Sequence, residues 1–401
     1  MNHPQGRHFL NIPGPSPVPE RVLRAMDRQV IDHRGPEFAA LGKEVLAGVR
    51  TIFQTEQPVV IFPSSGTGAW EAAIVNTLSP GDHVLMVETG HFAYLWKVMA
   101  ERFGLIVDYI PGDWRRSIDP AAIETKLRED KAHAIKAVMI VHNETSAGTT
   151  SRVAEVRKAM DAAHHPALLM ADTVSSLGSV DFRHDEWGID VTVCGSQKGL
   201  MLPPGLGFNA ISKKALAATA SARMPRAYWD WEDMLKLNAG GFWPYTPPTN
   251  LLWGLRESIA MLHEEGLPQV FARHLRLASA TRAAVRAWGL EVLCLEPLDY
   301  SPVVTTVLMP PHHDGDALRR IILERFNLSL GAGLSKLAGK VFRIGHLGEC
   351  NALTLMGALT GVEMGLSLAG VPHRAGGVAA AMTVLEERDV SNVAAPLAMA
   401  G

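Results

Sequence analysis

Between about residues 57 and 211, short apolar runs alternate with longer segments whose apolar positions recur at helical spacing. The runs are PVVIF (58–62), HVLMVE (83–88), AVMIV (137–141), ALLMA (167–171), DVTVC (190–194) and GFNAI (207–211). The helical segments among them are GAWEAAIVNTL, AYLWKVMAERF and VAEVRKAMDAAHH. The runs are continuous rather than alternating, as expected of strands covered on both faces. Strands joined through amphipathic helices predict an α/β fold with a mostly parallel sheet. Farther on, LLWGLRESIAMLHEEG (251–266) and LPQVFARHLRLASATRAAVRAWG (267–289) predict two helices, and VVTTVLMP, LSLGAG and KVFRIGH predict a second, smaller sheet. The expected division is an arm over residues 1–20, a large domain over 21–265, a small domain over 266–385 and a tail over 386–401.

In a parallel sheet, ligands gather at the loops leaving the carboxyl ends of the strands. After VVIF comes PSSGTGAWEAA, in which Gly66 and Gly68 permit close backbone approach, Ser65 and Thr67 offer hydroxyls, and a helix N-terminus follows. That arrangement suits a phosphate, although a Ser/Thr helix cap has the same composition. It matches neither the P-loop nor the GxGxxG fingerprint. After AVMIV comes HNETSAG, with Asn143, Glu144, Thr145 and Ser146 clustered. After ALLMA stands Asp172, a carboxylate at the end of a buried strand, which must be paired or neutralised. After DVTVC comes GSQKGLMLPPG, carrying Lys198. A phosphate anchor, an isolated carboxylate and a lysine at one edge of one sheet are the three parts that pyridoxal phosphate requires.

Composition narrows the field. The 401 residues are 47% hydrophobic and 20% charged, with a formal net charge of −3. The basic residues are scattered, without the patch that nucleic acid demands. The apolar runs are far shorter than the roughly 20 residues of a membrane span. With no signal-like N-terminus, a cytoplasmic location is expected. Cys194, Cys294 and Cys350 are far apart and read as buried packing residues. The pairs His164-His165 and His312-His313 read as solvated, and no metal site is expected.

The motifs PSSGTGAWEAA, HNETSAG, ADTVSSLGS, GSQKGLMLPPG and AGKVFRIGHLG, in this order, resemble those of class V aminotransferases, in the serine-glyoxylate and alanine-glyoxylate branch. The resemblance runs from IPGPSPVPE to about residue 380. It implies the type I pyridoxal phosphate transferase fold, with a mostly parallel seven-stranded sheet, and pyridoxal 5'-phosphate bound covalently to Lys198. By the same resemblance Asp172 partners the pyridine nitrogen, and Ser65, Gly66, Thr67 and Gln197 hold the phosphate. Phe92, where the family often has Trp, stacks on one face of the ring, Val174 packs on the other, and Thr145 lies near the ring hydroxyl. Arg343 clamps the substrate carboxylate, with Gly14 nearby. Tyr245 and Thr246 reach the partner's phosphate in a homodimer or a dimer-based higher oligomer, with Trp243 competing for the aromatic role.

The implied reaction moves the amino group of L-serine to glyoxylate, giving hydroxypyruvate and glycine, with Lys198 as the proton carrier. Aspartate, 3-hydroxyaspartate or alanine as donor remains open, since small pocket differences are worth only about 1–3 kcal/mol. A cysteine desulfurase would want a nucleophilic loop cysteine, which is not evident. A nicotinamide oxidoreductase or nucleotide-binding module would want GxGxxG, which is absent.

Overall fold

The computed structural model describes residues 6–387, so most of the expected tail lies outside the described residues. The chain begins with a short strand, β1 (Phe9–Asn11), and after two helices enters β2 (Val59–Ser64), β3 (His83–Val87), β4 (Ile106–Ile110) and β5 (Ile135–Val141). A two-residue hairpin, β6 (Asn143–Glu144) and β7 (Thr149–Thr150), leads to β8 (Leu168–Asp172), β9 (Val191–Gly195) and β10 (Gly205–Ile211). Seven of these form one sheet in the order β2-β10-β9-β8-β5-β3-β4. Its pairs are parallel except at β10, which runs antiparallel to both β2 and β9.

Each apolar run of the sequence is found as a strand. In β8 and β9 every residue is buried, which is why they lack a polar alternation. Two features were not anticipated. Strand β4 has no fully buried residue and carries Asp108 at its centre, because it is an edge strand whose outer face does not need an apolar pattern. The reversed direction of β10 follows from its short connection: Ser196–Pro204 returns the chain directly beside β9, where a parallel return would need a crossover of a dozen or more residues.

The second sheet is assembled from both ends of the chain. Its later strands are β11 (Glu291–Val292), β12 (Val304–Leu308), β13 (Leu328–Ala332) and β14 (Val341–Gly345), and its order is β1-β13-β14-β12-β11. Phe9 is registered with Leu328 and Asn11 with Leu330. The N-terminal arm is therefore a strand of the small sheet, rather than a separate appendage.

Helix Thr249–Glu265 ends at Gly266, whose φ is +85°, and helix Leu267–Ala287 starts at once, with Pro268 in its first turn. Val270 packs into the core around the large sheet, whereas Leu277, Ala280 and Ala284 pack into a second core with Phe342 and Leu359. One helix thus spans the two cores. All three cysteines are free and buried. His165, expected to be solvated, is buried with Nε2 3.2 Å from Asp130 Oδ2 and stacks edge-to-face on His133. Among the described residues no helix is long and apolar enough to cross a membrane.

Candidate active site

Because β2, β5, β8 and β9 run the same way, their carboxyl ends lie along one edge of the large sheet. Beyond β9 the chain turns through Ser196. Its hydroxyl donates to the carbonyl of Pro203 (2.8 Å) and accepts the Leu206 N–H (3.2 Å), tying the proline loop back to the strand. The N-terminal segment then crosses over the lysine. Ser16 Oγ donates to the Lys198 carbonyl (2.8 Å) and Ser16 N–H to the Gln197 carbonyl (2.9 Å). Lys198 Nζ donates to the carbonyl of Pro13. Gly14, with φ +119°, faces the Lys198 side chain so closely that a Cβ there would overlap it, so both the backbone conformation and the space call for glycine.

Lys198 is buried and has no carboxylate within ion-pair distance among the described residues. Burial, with the positive field of Arg343 second, brings its amine down to about 8, and Asp172 opposes them. Asp172 ends β8. Its Oδ1 accepts the Val174 N–H (2.7 Å) and its Oδ2 accepts the Trp70 indole N–H (3.1 Å). Burial pushes this carboxyl up to about 7 in spite of those bonds, and the negative field of Glu144 adds to the effect. Such a carboxyl takes up its charge when a cationic partner is brought to it.

Ser65 occupies the N-cap position of helix Gly66–Thr77, but its side chain makes no capping bond. The plain helix-cap alternative therefore fails here. The N–H groups of the first turn lack intrahelical acceptors, and the hydroxyls of Ser65 and Thr67 are exposed. Gln197 Oε1 is buried without a hydrogen-bond partner, 2.9 Å from where a Cβ on Gly195 would stand. On the other side, Val174 lies against Gly66, where a Cβ would come within 2.5 Å of its Cγ2. Donors, an unsatisfied amide and a close-packed glycine make a cradle able to hold a phosphate.

The HNETSAG segment carries a carboxylate whose role the sequence left open. Glu144 is buried, and Oε2 accepts the N–H groups of Phe92 and Ala93 (both 3.1 Å). Its Oε1 accepts from Ser146 N–H (3.1 Å) and Ser146 Oγ (2.6 Å). It therefore caps helix His91–Arg102 and holds Phe92 in place. Gly90 precedes that helix because a side chain there would run into Glu144. Thr145 contributes its carbonyl, which accepts from Arg343 Nη1 (2.8 Å), and Arg343 Nε donates to the Ala332 carbonyl (2.7 Å).

Arg343 is buried on β14, and no carboxylate lies within ion-pair distance of it among the described residues. Its Nη2 makes no hydrogen bond there. A structural ion pair is thus excluded, and a guanidinium with donors to offer faces the site. Burial lowers its pKa only to about 10, so it remains a cation at neutral pH.

The remaining candidates divide. Trp243 is buried in its own chain, edge-to-face with Phe38, with its indole N–H committed to the Ile61 carbonyl (2.7 Å). It does not compete for a role in a partner's site. Tyr245 stacks on Tyr228 (4.2 Å between centroids, 7° between planes) and Thr246 is exposed, away from the core. Asp172, Val174 and Gly66 are linked by contact, Gln197 and Lys198 through Ser16, and Thr145 to Arg343 by hydrogen bond, while the fields of Asp172 and Arg343 reach Lys198. Trp70 was missed, although a buried Trp needs a partner for its N–H, and its position one turn beyond the cradle was a signal.

The sequence pattern of the class V aminotransferases matches residues 8–335. The serine–glyoxylate aminotransferase of Methylorubrum extorquens is 50% identical over 393 residues, covering 96% of this chain and 98% of that protein. The L-aspartate–glyoxylate aminotransferase of Paracoccus denitrificans is 46% identical, covering 92% and 94%. Among solved structures, ureidoglycine-glyoxylate aminotransferase from Bacillus subtilis superposes with a TM-score of 0.88 at 28% identity, covering 96% of this chain and all of that one. A cysteine desulfurase from Thermococcus onnurineus, at 17% identity and TM-score 0.70, shares the fold alone. The matched pattern, the relatives at about half identity over nearly their full length and the type I fold agree: the chain belongs to the class V aminotransferases.

Proposed function

We propose that the protein binds pyridoxal 5'-phosphate covalently through Lys198 and transfers the amino group of L-serine to glyoxylate, giving hydroxypyruvate and glycine. The observation that carries the reading is the placement of one buried amine, brought to about 8, with Asp172 raised to about 7, the Arg343 guanidinium whose Nη2 is unbonded among the described residues, and the donors at Ser65–Thr67 that make no capping bond. The residues fit the group: the Gln197 side-chain amide, whose Oε1 is unpartnered so that its NH2 group can turn to a ligand, and the first-turn N–H groups suit its phosphate, Asp172 suits a protonated ring nitrogen, and Phe92 and Val174 supply apolar faces.

When bound, the cofactor supplies an electron sink for the carbanion formed at the substrate Cα. The protein does the rest. Arg343 offers a planar fork of donors to the substrate carboxylate, fixing which bond at Cα faces Lys198. The Lys198 amine, brought down to about 8 so that a fraction of it is free base near neutral pH, would remove the proton from the substrate Cα and hold it for return. Asp172 keeps a proton on the ring nitrogen, and the crossing segment Pro13–Ser16 closes the lysine from water.

The same reading makes the active unit a homodimer, with Tyr245 and Thr246 given to the partner's cradle, and divides the chain near residue 266. Aspartate as donor is the second choice, supported by the Paracoccus relative. A desulfurase reading is disfavoured, because burial raises all three cysteine thiols, Cys294 up to about 12. Borohydride reduction followed by peptide mapping should leave a pyridoxyl adduct on the Lys198 peptide. Glyoxylate supplied with serine, aspartate, 3-hydroxyaspartate or alanine should give glycine fastest with serine. An unmodified Lys198 peptide would remove the cofactor assignment, and a faster rate with aspartate would change only the donor.

A further inference from the structure

His91 opens helix His91–Arg102, immediately before Phe92. Its backbone N–H donates to Ser146 Oγ (2.9 Å), and its Nδ1 lies 2.8 Å from Ser335 Oγ. Arg343 is held by the neighbours of those groups, the carbonyls of Thr145 and Ala332. The same two segments, Thr145–Ser146 beyond the large sheet and Ala332–Ser335 near the small sheet, thus hold the His91 backbone and ring and the Arg343 guanidinium, and the field of Arg343 reaches the imidazole. The imidazole is half-buried and meets the Phe92 ring edge-to-face at 5.3 Å. Its Nε2 makes no hydrogen bond among the described residues.

Burial, and after it the field of Arg343, lowers the pKa of His91 and so favours the neutral ring. The cation nearest in sequence to Ser335 is Lys336, which is committed elsewhere: it donates to Glu88 Oε1 (2.9 Å) and lies over the Trp114 ring at 4.3 Å. Within the field of the arginine, then, stands an imidazole that favours its neutral form and can donate or accept one hydrogen bond, with no second free cation from this loop among the described residues. A donor whose side chain ends in a hydroxyl matches that environment. A second carboxylate calls for a cation, and a methyl group leaves the imidazole without a partner.

We propose that His91 determines donor specificity, selecting a hydroxyl-bearing amino acid over dicarboxylic and simple alkyl donors. The proposal rests on the transaminase reading above. It is tested on the full-length holoprotein by measuring kcat/KM with glyoxylate and serine, alanine or aspartate for the wild type, His91→Ala, His91→Gln and His91→Lys. His91→Ala should lower the value for serine by about 10-fold or more and leave alanine within about 2-fold. His91→Gln, which keeps a donor and an acceptor, should restore serine, and His91→Lys should raise the aspartate-to-serine ratio by about 10-fold.

Equal losses for serine and alanine in His91→Ala would overturn the proposal, because they would mean that the ring only braces Ser335. An unchanged aspartate-to-serine ratio in His91→Lys would do the same, as would a wild type that prefers aspartate or alanine. Cofactor absorbance and melting temperature report on folding. If His91→Ala does not retain cofactor, the Gln and Lys variants decide the matter. A wild type that transaminates none of these donors would instead remove the underlying transaminase reading.

Discussion

Lys198 and Arg343 are both buried cations without a carboxylate in ion-pair range, yet they come from different sheets and meet different ends. Lys198 extends from the carboxyl edge of the large sheet, where burial and the neighbouring guanidinium bring its amine to about 8. Arg343 extends from the middle of β14 in the small sheet, where the same burial leaves it charged at about 10 and two carbonyls fix its plane. The same desolvation thus yields a group that can shed its proton and a group that cannot, because lysine starts near 10.4 and arginine above 12. On the reading proposed above, one side of the site serves proton transfer and the other holds a carboxylate.

The sharpest way to break this division is Lys198→Ala. Transamination should fall by at least about 1,000-fold, since on the proposed reading both the covalent attachment and the proton carrier would be lost. Borohydride should then leave no pyridoxyl peptide. If the rate were to fall only a few-fold, the proton carrier would have to be another group.

Asp172→Asn should come next, with a loss of about 100-fold or more in kcat. This variant should show an opposite effect on stability. In the cofactor-free protein the folded Asp172 carboxyl titrates near 7 rather than 3.8, so the folded chain keeps a proton that the unfolded chain releases. The resulting stability is fully present below about pH 4 and is lost as pH rises through 7, a change on the order of 4 kcal/mol. Cofactor-free Asp172→Asn should accordingly melt higher than the cofactor-free wild type at pH 8, by denaturation followed in parallel.

Arg343→Lys sharpens the other half of the comparison. The charge survives but the fork does not, so KM for both the amino acid and the keto acid should rise by about 10- to 100-fold with a smaller change in kcat. Gly66→Ala should have a more limited effect. Its Cβ would press on Val174 Cγ2 and displace the cradle, costing about 1–3 kcal/mol and loosening cofactor binding by about 10-fold in equilibrium dialysis. Trp243→Phe should disturb the site least. Losing the hydrogen bond to the Ile61 carbonyl should lower the melting temperature while kcat changes by less than about 3-fold.

Much of the lysine side of the site was legible in the sequence. The strands β2, β5, β8, β9 and β10 are continuous apolar runs, and the functional loops follow their ends directly, so Asp172, Lys198 and Gly66 could be named from local pattern alone. The arginine side was legible only through its motif. Arg343 lies among apolar neighbours, and its freedom from any carboxylate depends on Ala332 and Thr145, which are 11 and 198 positions away. Glu144 and His91 were less visible still. A glutamate in a polar loop has no local sign that it will cap a helix starting 53 residues earlier, and His91 meets Ser335 only because the fold brings a residue 244 positions away to it.

The sequence by itself determined the α/β alternation and the large sheet's covered strands, and it singled out the lysine, carboxylate and glycine loop proposed as the site, because each depends on apolar runs and on the residues that directly follow them. Only the tertiary structure decided that β1 would join β13 across more than 300 residues, that β10 would run antiparallel, and that Trp243 would turn into its own core. It also decided the protonation of the site. Lysine and aspartate acquire their displaced pKa values from the burial and neighbours that the folded chain supplies, and these distances are not written in the spacing of residues along it.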